Sequence, residues 1–358
     1  MPTQEMPREI DIIRNAERTL ASTLPMGWSL EAKQQVRTGL GRLDLFIEVL
    51  APSGERAELA IEAKRTIEPR LVSQVLEQLA RYCSGDLSDA VPIVAAAYLS
   101  PRSREILDSA GVGFIDMAGN VRIEVSQPGL FISSTGVDRD PWPQDSELKS
   151  LRGRGAARAA RAIVDHTPPF GIRELAATSG ASAPTLSRVV ELLDREGIVT
   201  RETRGPVLTV DWEAAIRRWA ADYAQTTSNT PTTFLEPRGL PAVLEKLDEA
   251  GPVYAATGAF ASQSFDPIAP AKTATMYVED AGKFADRLEL REIETGANVI
   301  LLEPFDPVVF DRTIWRDGLR CVAPSQLCVD LLTGPGREPS QGEEMLRWMQ
   351  ENENVWRS

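Results

Sequence analysis

Residues 43–50 read Leu-Asp-Leu-Phe-Ile-Glu-Val-Leu, and residues 58–64 read Glu-Leu-Ala-Ile-Glu-Ala-Lys. In the first stretch Leu43, Leu45, Ile47 and Val49 alternate with Asp44, Phe46 and Glu48, the pattern of a half-buried strand. Ser53 and Gly54 supply a turn. The second stretch turns Leu59 and Ile61 inward and leaves Glu58, Glu62 and Lys64 on the other face. A hairpin of the two strands brings Asp44 beside Glu62 and Lys64. Two carboxylates suit a hard cation such as Mg²⁺, which polarises a phosphodiester and acidifies bound water. A lysine alongside orients that water and offsets developing charge. Asp44 and Glu62 are therefore candidate metal ligands, and Lys64 their catalytic partner. Glu-x-Lys alone is common on exposed strands, so the weight rests on Asp44 across the turn.

Working outward, residues 71–83 read as a helix carrying Gln78 and Tyr82, four apart and so on one face. A strand over 93–98, a helix over 101–110 and a strand over 113–116 follow. Asp44, then Glu62-Ala-Lys64, then Gln78-x-x-x-Tyr82 resemble the PD-(D/E)xK nuclease fold in its RecB-like branch, over about residues 9–135. The resemblance implies a restriction-endonuclease-like mixed sheet, with the Asp and Glu-x-Lys on adjacent strands as metal and water ligands. It places Gln78 and Tyr82 near the substrate and implies Mg²⁺ where the site is active. Fold alone does not establish activity.

Composition fits chemistry of this kind. One histidine in 358 residues excludes a multi-histidine metal centre, and three cysteines exclude a four-thiolate zinc site or a disulfide framework. The absence of a signal pattern after Met1, and of any apolar run near membrane length, points to a cytoplasmic protein with no membrane partner. The net charge of -13 is uneven. Residues 1–150 carry 16 basic and 22 acidic side chains, net -6; residues 151–220 carry 11 arginines and 8 acids, net +3; residues 221–358 carry 12 and 22, net -10. The positive middle segment is the expected contact for nucleic acid.

That segment reads as a helix over 152–165 with Ala156, Ala160, Ile163 and Val164 inward, then a short helix over 172–178. A turn at Gly180 follows, then a third helix from Ser182 to about 196, stopped by Gly197. Strands over 198–201 and 207–210 flank a tip at Arg204. The stretch IRELAATSGASAPTLSRVVELLDREGIVTR resembles the winged helix-turn-helix of bacterial regulators. It implies a third helix in the major groove of double-stranded DNA, with Ser182, Thr185, Ser187 and Arg188 toward bases and Arg201 and Arg204 toward phosphates.

Residues 225–233, rich in Thr, Ser and Asn, have a linker's composition. Beyond them, strands over 253–257, 275–278 and 297–302 and helices over 325–332 and 341–352 form a small α/β segment without a phosphate-binding glycine loop. The phrases ATGAFASQSF, ATMYVED, ANVILLEPFDPVVF, GLRCVAPSQLCVDLL and GREPSQGEEMLRW resemble AbiE-type antitoxin regulators of type IV toxin–antitoxin systems. With the helical segment before them, this covers residues 150–350. The resemblance implies a DNA-binding repressor with a toxin partner protein. The segment is also distantly similar to a nucleotidyltransferase at Thr257-Gly258, but Glu279-Asp280 is a poor substitute for a catalytic aspartate pair, so a non-catalytic role is expected. His166, Cys321, Cys328, Trp212, Trp219 and Trp315 are expected to be structural.

The expectation is a multi-domain α/β chain of three parts: a nuclease-like domain at 1–140, a winged helix at 150–222 and an antitoxin-like domain at 234–358. Two functions compete. One is a homodimeric transcriptional regulator of the antitoxin kind, with flanking domains for oligomerisation or sensing. The other is a Mg²⁺-dependent nuclease targeted by the winged helix.

Overall fold

The computed structural model describes residues 6–358 except 40, 86, 143–147, 149, 203–204, 251–252 and 266–269, and omits the side chains of 248–250. The chain divides into two compact units, Met1–Glu147 with Arg195–Gly197, and Leu148–Asp194 with Ile198–Ser358.

The first unit is one seven-stranded mixed sheet between helices. In chain order it comprises α1 (Glu9–Thr23), β1 (Ser29–Thr38), β2 (Gly41–Leu50), β3 (Arg56–Lys64), α2 (Val72–Cys83), β4 (Val91–Ala96), α3 (Pro101–Ser109), β5 (Gly113–Asp116), β6 (Val121–Val125) and β7 (Leu130–Ser134). The strands lie in sequence order across the sheet. β1–β2–β3 run antiparallel, β3–β4–β5 parallel, and β5–β6–β7 antiparallel. The two parallel steps need crossovers, and α2 and α3 provide them.

Helix α1 turns Ile12, Ile13, Ala16 and Leu20 onto the face that carries Leu45, Ile47, Leu59 and Ile61. Helix α2 turns Val72, Val75, Leu79 and Tyr82 onto the other face, against Ala60, Val94 and Ala96. Both apolar stripes recur at three- and four-residue spacing, as one helix face requires. The hairpin expected from residues 43–50 and 58–64 is present, with Leu45 opposite Ile61. Its strands are not half-buried, however. The face bearing Asp44, Ala60 and Glu62 is buried as well, because α2 covers it.

The second unit begins with three helices, α4 (Arg154–Asp165), α5 (Ile172–Ser179) and α6 (Ala183–Arg195), then the antiparallel pair β8 (Val199–Arg201) and β9 (Val207–Val210), then α7 (Trp212–Ala220). Gly180, at φ 65°, makes the left-handed turn between α5 and α6. A second mixed sheet follows, built from β10 (Thr230–Leu235), β11 (Tyr254–Thr257), β12 (Ala274–Val278), β13 (Arg291–Glu292), β14 (Val299–Glu303), β15 (Ile314–Arg316) and β16 (Leu319–Cys321). Its order is β13-β10-β14-β12-β11-β16-β15.

Two expectations change here. The tract at 225–233 is not a linker: it forms the helical turn Gln225–Ser228 and enters β10, inside the sheet. Buried Asn229 explains why. Its amide donates to Gln225 O at 2.6 Å and Tyr223 Oη at 3.1 Å, and its oxygen accepts from Phe305 N at 3.1 Å. Polar composition was read as solvation, but these groups are satisfied internally. Trp315 is also not packed: it is 66% exposed on the edge strand β15. Trp212, Trp219, Cys321 and Cys328 are buried as expected. His166 Nδ1 lies 2.8 Å from Ala162 O at the end of α4, a structural role. Among the described residues, no helix is long and apolar enough to cross a membrane.

Candidate active site

The first unit gathers all five residues singled out for catalysis. β2 carries Asp44 and β3 carries Glu62 and Lys64; one residue beyond the Leu45–Ile61 pair, the register sets Asp44 against Glu62. Asp44 Oδ2 accepts the Ala63 N–H at 2.9 Å, which locks the carboxylate to the neighbouring strand. Glu62 is 2% exposed. Its Oε1 takes a short charge-assisted bond from Lys64 Nζ and a second bond from Gln78 Nε2 at 2.7 Å. The same Gln78 amide lies 3.0 Å from Tyr82 Oη, which donates to Arg42 O at 3.2 Å. The i, i+4 spacing on α2 therefore puts both side chains on one face of the helix, with Gln78 bonded to β3 and Tyr82 to β2.

Glu62 Oε2 is buried and has no hydrogen-bond partner. An oxygen in that state costs free energy unless something comes to meet it. Burial pushes the Glu62 carboxyl above the usual carboxylate range; Lys64 pulls it back and the charge of Asp44 raises it further. Among the described residues, no group of three or more His, Cys, Asp or Glu side chains is arranged around a common metal position. The donor set is thus two carboxylates with one unmet oxygen. That fits Mg²⁺, which commonly takes one or two carboxylates and completes its octahedron with water and substrate phosphate oxygens.

Two further residues shape the site and were not read from the sequence. Gly41 (φ 149°) ends the β1–β2 turn, and a Cβ there would stand 3.2 Å from the Tyr82 ring. Arg42 supplies the carbonyl that anchors Tyr82. β1 gave little signal because Gln34 and Gln35 interrupt its alternation of Leu30, Ala32 and Val36.

The proposed DNA-contact residues form a separate group on the second unit. Ser182 caps α6, its Oγ accepting the Thr185 N–H at 3.3 Å and donating to Thr185 Oγ1 at 2.7 Å. Ser187 and Arg188 are exposed on the outer face, with Arg188 Nε 3.4 Å from Pro184 O. Arg201 folds back onto Asp194 at 3.5 Å. Arg204 lies outside the described residues. The charge argument narrows accordingly. Of the segment's arginines, Arg158 pairs with Asp306, Arg161 with Asp165, Arg217 with Glu213 and Glu343, and Arg218 with Asp222.

The C-terminal sheet holds a buried polar cluster that was also missed. Asp330 accepts from Thr257 Oγ1 at 2.6 Å, Tyr223 Oη at 2.8 Å, Gln326 Nε2 at 3.0 Å and Tyr277 Oη at 3.0 Å. Burial raises its carboxyl above the usual range, against the pull of these donors. The signal available was an acid alone in the apolar run 327–332. Asp280 caps the helix Ala281–Arg287 through Lys283 N at 2.9 Å, so Glu279-Asp280 has a structural member.

No family model matches the chain. No curated protein matches it either. Among solved structures, a repair endonuclease from Pyrococcus abyssi is similar to part of it, at 14% identity and a TM-score of 0.23. The match covers 32% of this chain and 49% of that one, so it spans about half of that protein.

Proposed function

We propose that the first unit is a Mg²⁺-dependent phosphodiesterase acting on nucleic acid. One observation carries this reading: Lys64, Glu62, Gln78 and Tyr82 form a single chain of hydrogen bonds, Asp44 is tied to the Ala63 N–H beside it, and a buried Glu62 oxygen has no partner. Asp44 and Glu62 would hold the cation, which supplies electrophilic polarisation and acidifies water when bound. Lys64 is 35% exposed, so its ammonium can turn from Glu62 toward an entering phosphate oxygen or the attacking water. Gln78, itself bonded to Tyr82, holds Glu62 through Oε1 and leaves Oε2 unmet. Cleavage of plasmid and branched DNA in Mg²⁺ or Mn²⁺ tests the proposal. Glu62→Gln and Lys64→Ala should each abolish cutting, and a wild-type chain inert with both metals refutes it.

A second reading is supported by the outer face of α6. Ser182, Ser187 and Arg188 are exposed there, and α6 follows a tight glycine turn. Under it, residues 150–222 act as a winged helix on double-stranded DNA, and the chain is a homodimeric, antitoxin-like regulator with a toxin partner. A mobility shift on the gene's own upstream DNA, lost with Arg188→Ala, is its expected result. No shift removes the reading.

A further inference from the structure

Strands β1 and β2 exchange faces partway along their length, and they do so at the candidate site. On β1, Leu30 and Ala32 pack under α1, and Gln34 Nε2 lies 3.5 Å from Glu17 Oε2 on that helix. Gln34 pairs with Leu45, which belongs to the same core. Two residues on, Val36 pairs with Leu43. Strand alternation would return that pair to the α1 side. Leu43 instead belongs to the core under α2, with Val72, Leu79 and Tyr82. The pair Thr38–Gly41 agrees, since a Cβ at Gly41 would stand 3.2 Å from the Tyr82 ring. One residue on each strand absorbs the inversion: Gln35 on β1 and Asp44 on β2.

Gln35 absorbs it in its backbone. Its φ is 55°, and among the described residues of the first unit no other non-glycine residue has a positive φ. Glutamine has neither the freedom of glycine nor the short polar side chain that eases Asn and Asp into left-handed geometry. The side chain is exposed, so its own burial does not hold it there. Such strain persists where the surroundings enforce it, and it concentrates at functional sites. Here the surroundings are Leu43 and Leu45, both 0% exposed and drawn into opposite cores. Asp44, between them, turns its carboxylate along the sheet. Its Oδ2 accepts the Ala63 N–H at 2.9 Å, just past Leu45–Ile61, where the β2–β3 ladder stops. Glu62, with its unmet Oε2, stands at that fork.

We propose that Gln35 is a positioning residue of the site: its left-handed backbone lets β1 follow the inversion of β2 and so holds the Asp44 carboxylate in the fork beside Glu62. The fork's role as a cation site rests on the phosphodiesterase reading; the control of Asp44 by Gln35 does not.

The test uses substitutions at position 35 of the full chain. Glycine relieves the strain, whereas a β-branched residue resists a positive φ. Gln35→Gly should keep wild-type Mn²⁺ affinity, read from the paramagnetic resonance of free Mn²⁺. Gln35→Val should weaken it on the order of tenfold or more, the usual cost of disturbing a group that orients a metal ligand, and so approach Asp44→Ala. Without metal, hydrogen exchange of the Ala63 amide reads the Asp44 bond directly. Gln35→Val should speed that exchange relative to the other β3 amides, as Asp44→Ala does, and Gln35→Gly should not. Lys33→Val, in the regular ladder opposite Phe46, should change neither quantity. Should Gln35→Val fail to fold, Gln35→Ala pushes the same way more gently and is compared with Gln35→Gly.

A lower melting temperature in Gln35→Val with wild-type Ala63 exchange marks a merely structural role and overturns the proposal. Faster Ala63 exchange in Gln35→Gly, or undiminished Mn²⁺ affinity in Gln35→Val, overturns it too. A wild-type chain that binds no Mn²⁺, while Gln35→Val still frees the Ala63 amide, sinks the cation site and leaves the positioning role standing.

Discussion

Glu62 is where the energetics of the first unit concentrate. Its carboxyl is raised above its ordinary range by burial, so the folded chain holds that proton more tightly than the unfolded chain. Its contribution to stability is fully present below the unfolded pKa and fades as pH rises through the shifted one. Glu62→Gln should therefore raise the melting temperature of the metal-free protein at neutral pH. The gain should shrink as pH falls toward the ordinary carboxylate range, and melting curves across pH would show it; a variant less stable than wild type at every pH contradicts the account. Gly41→Ala tests geometry instead. The new methyl presses on Tyr82 in a backbone conformation that suits glycine, and a displaced Tyr82 should lower cleavage on the order of tenfold or more. These residues were unequally legible. Asp44, Glu62, Lys64, Gln78 and Tyr82 could be read because periods of two and four are fixed by strand and helix geometry. Gly41 and Arg42 act through a ring contact and a carbonyl, which leave no mark in residue type.

At the scale of elements, α4 shows how packing overrides periodicity. Its sequence marks one inner face at Ala156, Ala160, Ile163 and Val164, yet Ala157, Ala159, Arg161, Ala162 and Asp165 are buried too. The rest of the second unit accounts for this. Arg161 is 1% exposed; it bonds Asp165 at 3.2 Å and makes short bonds to the carbonyls of Val308 and Asp311, while Ser325 bonds Asp165. A run of alanines allows such close approach, but nothing in the run states it. Removing one partner of a buried charge pair costs about 3–5 kcal/mol, and Arg161→Ala should lose that much in urea denaturation. A change below about 1 kcal/mol would mean the site relaxes or hydrates freely. The same fact limits the reading of charge. Arginines counted toward DNA from the sequence are partly committed to holding the fold, which leaves Arg188 as the exposed cation on the outer face of α6.

For the whole molecule, the two compact units each have their own sheet and apolar core. Separate cores predict separable unfolding, so calorimetry should resolve two transitions. Tyr277→Phe removes a hydroxyl that donates to Asp330 inside the second unit. It should cost about 1–3 kcal/mol and lower one transition while the other stays in place; equal movement of both would show a single cooperative block. The two mixed sheets were only partly legible. Strands with apolar runs, such as β4, β11, β12 and β14, declared themselves, whereas the short strands β13, β15 and β16 are held by pairing rather than by pattern.

The ion pair between Lys64 and Glu62 has a consequence for handling the protein. In effect the site carries its own resident counter-cation, tethered to the chain, so its negative charge is partly balanced before any metal arrives. On the phosphodiesterase reading, the unit should therefore need metal for cutting but not for folding, unlike small domains that collapse when stripped. Chelation should leave the circular dichroism spectrum and the melting profile essentially intact, and readdition of Mg²⁺ should restore cutting without any refolding delay.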